Sequence, residues 1–142
     1  MIYPNLPCLA LSVRQPWVHC IFDLGKPVEN RKWSTVFRGE IAVHASSRMT
    51  ADDWEDGLFT ARAAADVAPF PPGTRFPGRK DLQFGGIVGT VEIVDVTTKL
   101  DSPWFFGPYG FVLANPKRVE FVPVKGLLGF FDWRRQWEKE NG

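Results

Sequence analysis

LSVRQPWVHCIFDLGKPVENRKWSTVFRGEIAVHAS, Leu11–Ser46, changes its hydrophobic period twice. The run that leads into it, Cys8–Arg14, is apolar and extended and reads as a first strand. From Gln15 the period becomes helical: Trp17, Val18, Ile21, Phe22 and Leu24 fall on one face. Pro16 suits the first turn of that helix and Gly25 its end. Beyond the turn, Val28–Trp33 is extended again. Gly39–Ser46 is a further strand, with Ile41, Val43 and Ala45 on one side. A strand, a short helix, an extended segment and a strand in such quick succession point to a small mixed fold.

The rest of the chain continues in short elements. Thr50 followed three residues later by Asp53 makes an approximate capping box, and Ala51, Trp54, Leu58, Ala61 and Ala65 form a stripe, predicting a helix over Ala51–Ala68. Pro69–Gly86 is rich in Pro and Gly and reads as a long irregular loop, a kind that often carries function. Gly86–Thr98 is the clearest strand, its change of phase predicting a bulge near Gly89. Tyr109–Pro116 and Val119–Gly126 read as two strands joined by a turn at Asn115–Arg118. The final segment from Asp132 places Trp133 and Trp137 four apart, a short helix that must dock its rings to be stable. Five or six short strands with peripheral helices predict a small mixed β-barrel of α+β class, residues 1–142 forming one domain.

Composition bounds the function. The chain has 142 residues, enough for a sizeable core without disulfides, and a formal net charge of +1, so nucleic-acid binding would need a local patch. Cys8, Cys20, His19 and His44 match no metal spacing, and no cofactor motif is present; Gly85–Gly89 lacks the lysine and spacing of a phosphate or dinucleotide loop. The two thiols read as buried and free, and with neither a leader-like start nor a stretch of about 18 apolar residues, the chain is expected to be cytoplasmic.

Several residues invite a chemical reading. Glu29 and Arg31 share one face of an extended segment, with Lys26 at the turn beside them, so two cations and a carboxylate can present donors and acceptors together. Taken alone, such a group is as readily a solvated corner. Trp104 lies among Pro and Gly in a loop, where an exposed ring suits stacking on a base, as does Trp33; Trp17 and Trp54 read as covers for the barrel ends. Arg75, Arg79 and Lys80 form a basic loop suited to phosphates. His44 is followed by Ser46 and Ser47, but there is no glycine-flanked serine elbow, so it reads as a core or pocket-lining histidine.

The order of these pieces resembles the ASCH family, the activating signal cointegrator homology domains. The likeness is carried by Leu11–Ser46, by GGIVGTVEIVDV, by SPWFFGPYGFVLANP and by FVPVKG, and runs from about Leu9 to about Phe131. The family signature Gly-x-Lys-x-x-Glu-x-Arg falls on Leu24–Arg31, with Gly25 adjacent to Lys26 instead of one residue earlier; Lys26, Glu29 and Arg31 keep their spacing. The resemblance implies a PUA-like pseudo-barrel and a cleft faced by Lys26, Glu29 and Arg31 together with the Gln15–Trp17 turn. Two functions follow. In the first, the cleft holds an RNA base or modified nucleoside, DNA remaining open. Gln15, Trp17, Lys26, Glu29, Arg31, Trp33, Trp104 and Tyr109 then line it, and Arg75, Arg79 and Lys80 take phosphates. In the second, the chain is an amidohydrolase removing the acyl group of 4-acetylcytidine-type nucleosides, or a ribonuclease. Lys26 matches the catalytic Lys of such relatives, but Glu29 stands where they carry Thr. A water activated by Glu29 would replace the missing hydroxyl, and Asp53 or Glu55 would supply the distant carboxylate. Binding is the preferred reading.

Overall fold

The computed structural model describes residues 5–142; residues 1–4 of the expected domain lie outside them. Six strands and three helices follow in the order β1 (Leu9–Val13), α1 (Trp17–Asp23), β2 (Val28–Arg31), β3 (Gly39–Ala45), α2 (Ala51–Val67), β4 (Gly86–Thr97), β5 (Tyr109–Pro123), β6 (Phe130–Asp132) and α3 (Trp133–Asn141). The strands form one sheet, β2-β5-β4-β3-β1-β6, that curls into a half-barrel. All neighbours are antiparallel except β1 and β3, whose crossover contains α1 and β2. The predicted α+β class and small mixed barrel are therefore observed.

Alternation along β1 and β3 sorts the core. Leu11, Val13, Ile41, Val43 and Ala45 enter the main cluster with Val18 and Ile21 of α1 and Phe111 of β5. Ala10 and Ala42 face the other way, toward Phe131 and Trp133. The C-terminal helix docks as its spacing requires: Trp133 is buried, its indole N–H donates to the Pro7 carbonyl at 2.6 Å, and Trp137 packs beside it.

Helix α2 begins with a complete capping box between Thr50 and Asp53. Its buried positions are Gly57, Thr60, Ala61 and Ala64, a stripe rotated from the predicted one. Gly57 is the reason. A Cβ there would lie 2.2 Å from Pro16, so α2 can rest on the start of α1 only through a residue without a side chain. Such a contact has no hydrophobic signal in the sequence.

The bulge predicted near Gly89 is present: Val43 pairs Gly89 and His44 pairs Ile87, leaving Val88 as the extra residue. The turn predicted at Asn115–Arg118 is not. Tyr109–Pro123 is one continuous strand, and the chain bends at Asn115 (φ 53°) without reversing. Pro116 lacks the N–H for a ladder bond, but Ala114 still pairs Glu92 and Lys117 still pairs Thr90, so both odd residues are absorbed in a register shift. Asn115 Nδ2 then donates to Glu92 Oε1 across the bulge at 3.1 Å.

The Pro69–Gly86 loop is anchored at several points. Phe70 and Phe76 pack on the cluster beneath α2, Trp54 Nε1 donates to the Pro77 carbonyl at 2.8 Å, and Arg79–Asp81 forms a 3-10 turn. No helix among the described residues is long and apolar enough to cross a membrane.

Candidate functional site

The open seam of the half-barrel lies between its two edges, β2 on one side and β1–β6 on the other. Pairing of β1 with β6 stops at Leu11–Phe130. One residue further on, the Ser12 carbonyl accepts a hydrogen bond at 2.7 Å from Arg31 Nη2 at the end of β2. Trp33 reaches the same edge, its ring 5.4 Å from that of Phe130 and 5.2 Å from Phe111, edge-on to both. A cleft of about 1530 Å³ opens along this seam.

Lys26, Glu29 and Arg31 converge on its wall. Gly25, at φ +74°, turns the chain after α1 and aims Lys26 inward; the lysine is only 3% exposed. Its ammonium donates to the Val28 carbonyl at 2.5 Å, lies 3.5 Å from Glu29 Oε1 and sits 5.4 Å from the centre of the Trp17 ring. The other Glu29 oxygen accepts from Arg31 Nε at 3.0 Å and lies 2.9 Å from Nη2. One buried carboxylate is thus shared by two cations, leaving one positive charge in the wall. Among the described residues, Arg31 Nη1 has no partner. Charges so placed are far less screened than surface pairs, and hold each other in a fixed array.

Trp17 and Trp33 line the cleft as rings beside this array. The remaining expected residues do not line it. Gln15 is buried, donating to the Gln83 carbonyl at 2.9 Å and accepting from the His19 N–H at 3.1 Å, so both ends of its amide tie α1 to the long loop. Trp104 is 5% exposed and fills the cluster under α2 with Cys20, Leu24 and Val28; loop residues can be core when the loop folds back on a helix. Tyr109 pairs with Arg31 across the sheet and packs its ring on the main core. Arg75, Arg79 and Lys80 are exposed away from the cleft, and Arg79 is engaged by the Met49 carbonyl and the Phe84 ring. Asp53 caps α2 and binds Arg14 at 2.7 Å, and Glu55 is exposed on α2, so neither supplies a carboxylate to the Lys26 array. Lys26 and Glu29 bond each other, and Arg31 takes the second Glu29 oxygen.

The cleft brings in residues that the sequence did not mark. Lys32 and Lys125 stand exposed on its rim, their ammonium groups without partners among the described residues, and Phe106, Leu127 and Leu128 add an apolar border. Ser12 and His44 enter as a pair. They are register partners in the parallel β1–β3 ladder, so their side chains lie together on one face. His44 Nε2 lies 2.7 Å from the Val124 carbonyl, which can only accept; Nε2 therefore carries the proton, and Nδ1 accepts from the Ser12 hydroxyl at 2.9 Å. Burial pushes the imidazole below its ordinary value of 6.5, opposed by the Val124 bond and the Glu140 carboxylate, so it is neutral at pH 7. Parallel pairing of residues this far apart in sequence was the missing signal.

Among the described residues no group of three or more His, Cys, Asp and Glu could hold a metal. Cys20 is buried and its thiol is pushed up to about 12, chiefly by that burial, so it is inert as a nucleophile.

The family model of the ASCH domain matches residues 11–127. The human protein Activating signal cointegrator 1 is similar to this chain, 25% identical over 131 residues that cover 82% of the chain and 20% of the relative. The chain thus spans about a fifth of that relative's length. The chain belongs to the ASCH domain family.

Proposed function

We propose that this ASCH-family chain binds RNA, and that its seam cleft takes one unpaired base or modified nucleoside. The observation that carries the reading is the Lys26–Glu29–Arg31 array in the wall of the cleft, flanked by Trp17 and Trp33. Burying two cations and a carboxylate at a barrel seam contributes little to stability compared with apolar residues, whereas a preorganised set of donors and acceptors suits recognition of a polar, flat group. Arg31 Nη1 would donate to a base carbonyl or ring nitrogen, the unused lone pairs of Glu29 would accept from an amino group, and Trp17 would lie against the ring face. Lys32 and Lys125, placed on the rim, would take the adjoining phosphates, a role the sequence suggested for Arg75, Arg79 and Lys80. With a net charge of +1 the electrostatic contribution is small, so affinity for unmodified RNA is expected to be weak.

The test is a titration of short labelled single-stranded RNAs and DNAs, with and without modified cytidine, at two salt concentrations. Saturable binding that favours RNA and is lost in Lys26→Met supports the proposal. A wild-type protein that binds no nucleic acid or nucleoside sinks it.

A further inference from the structure

We propose that Ser12 and His44 form a nucleophile–base pair that hydrolyses carboxylic esters bearing an apolar acyl group. This activity goes beyond nucleic-acid binding and does not depend on it. Three observations carry it. First, the geometry is that of an activated serine: Oγ–H points at Nδ1 over 2.9 Å, and the opposite ring nitrogen is held by a fixed acceptor, the Val124 carbonyl. The acceptor sets the tautomer that leaves Nδ1 free to take a proton, the role an acid plays in a triad. Second, the pair opens on the cleft. Ser12 is half-buried and lines it, on the opposite face of β1 from Leu11 and Val13. Third, the neighbourhood is shaped around the pair. Gly126 lies directly over it: a Cβ there would be 2.6 Å from His44 Cε1 and 3.1 Å from Ser12 Oγ. The same loop carries Leu127 and Leu128 at the cleft border, Leu128 being 99% exposed. An apolar acyl chain would cover those leucines.

The reaction balances with water as the only co-reactant. Ser12 Oγ forms a bond to the ester carbonyl carbon while its proton moves to His44 Nδ1. The ester C–O bond then breaks and the alcohol leaves with that proton, giving acyl-Ser12. Water attacks the acyl carbon, its proton passing through Nδ1 to Oγ, and the carboxylic acid is released. Arg31 Nη1, without a partner among the described residues, is the donor assigned to stabilise the carbonyl oxygen, since Nη2 of the same guanidinium rests on the Ser12 carbonyl. A neutral, weakly basic imidazole and a single side-chain donor suit an ester, with its reactive carbonyl and good leaving group, better than an amide.

The experiment exposes folded wild-type protein to p-nitrophenyl butyrate, follows p-nitrophenol release, and maps the butyryl mass by peptide mass spectrometry. The expected result is a burst of one equivalent with the acyl group on Ser12, absent in Ser12→Ala. His44→Gln can still donate to Val124 but cannot act as a base, and should slow acylation about 100-fold. In wild type the rate should fall as pH drops through a value below 6.5, the titration of His44 in the field of Glu140 on α3. Acylation at another residue, no acylation of folded wild type, or an undiminished rate in folded His44→Gln would each overturn the assignment.

Discussion

Glu29→Gln isolates the array at the seam. In the native protein Glu29 faces Lys26 Nζ at 3.5 Å through one oxygen and Arg31 through the other, with the Lys26 side chain 1% exposed and that of Glu29 10%. The amide keeps the shape but removes the charge, and turns an N–H₂ toward one of two cations. Lys26 is then left buried beside Arg31 with no carboxylate between them. Removing one partner of a buried ion pair costs about 3–5 kcal/mol. Because the Arg31 side chain retains 20% exposure and some solvation, the low end applies, about 3 kcal/mol. At about 2.1 cal/mol/K per residue, 142 residues give an unfolding entropy near 0.3 kcal/mol/K, so the melting temperature should fall by about 10 °C. The internal control is Asp95→Asn, which removes an Arg38 contact at 3.8 Å between side chains 42% and 66% exposed. That change should cost no more than about 0.5 kcal/mol, or under about 2 °C. Thermal unfolding by circular dichroism, repeated in urea, compares the two. If Glu29→Gln melts within the range of the control, the array is not a buried, mutually dependent set and the reasoning fails.

Trp17→Ala should weaken RNA binding by about 1–3 kcal/mol without altering its salt dependence, because stacking releases no counterions. Lys32→Ala and Lys125→Ala should each lower the salt slope by about one phosphate's worth in the same titrations, whereas Arg79→Ala with Lys80→Ala should leave it unchanged. Trp104→Ala is expected to lower unfolding free energy by about 3–5 kcal/mol in urea, as befits a core ring, with no loss of RNA affinity in protein shown to be folded. Glu29→Gln should also change which base is preferred in a panel of homopolymers, since the amide both donates and accepts. Burial holds the imidazoles of His44 and His19 below 6.5 in the folded state, so as pH falls the unfolded chain takes up protons first. The stability they contribute is therefore whole above about 6.5 and lost as pH drops from there toward the folded values. The urea midpoint should fall between pH 7.5 and 5.5, less so in His44→Gln; a midpoint that is flat or rises would contradict the buried neutral imidazole.

What the sequence determined was local. Strands β1 to β4, the three helices, the Thr50–Asp53 cap and the bulge at Gly89 all follow from period, capping and turn residues acting within one segment. The Lys26, Glu29 and Arg31 group was legible for the same reason: a glycine turn and a two-residue strand period place all three by short-range geometry. Tertiary structure decided everything that depended on long-range partners. Trp104 and Tyr109 look free in sequence because nothing local shows what covers them, and folding covers both. Gln15 looks like a cleft residue until Gln83 is brought beside it. Pro116 looks like the end of a strand, but β4 runs alongside and carries β5 through it. Ser12 and His44 are unremarkable letters until a parallel ladder sets them side by side, with Val124 and Gly126 closing around the ring. Hydrophobic period fixes which way a side chain faces within its own element; only the packing of elements fixes what it meets there.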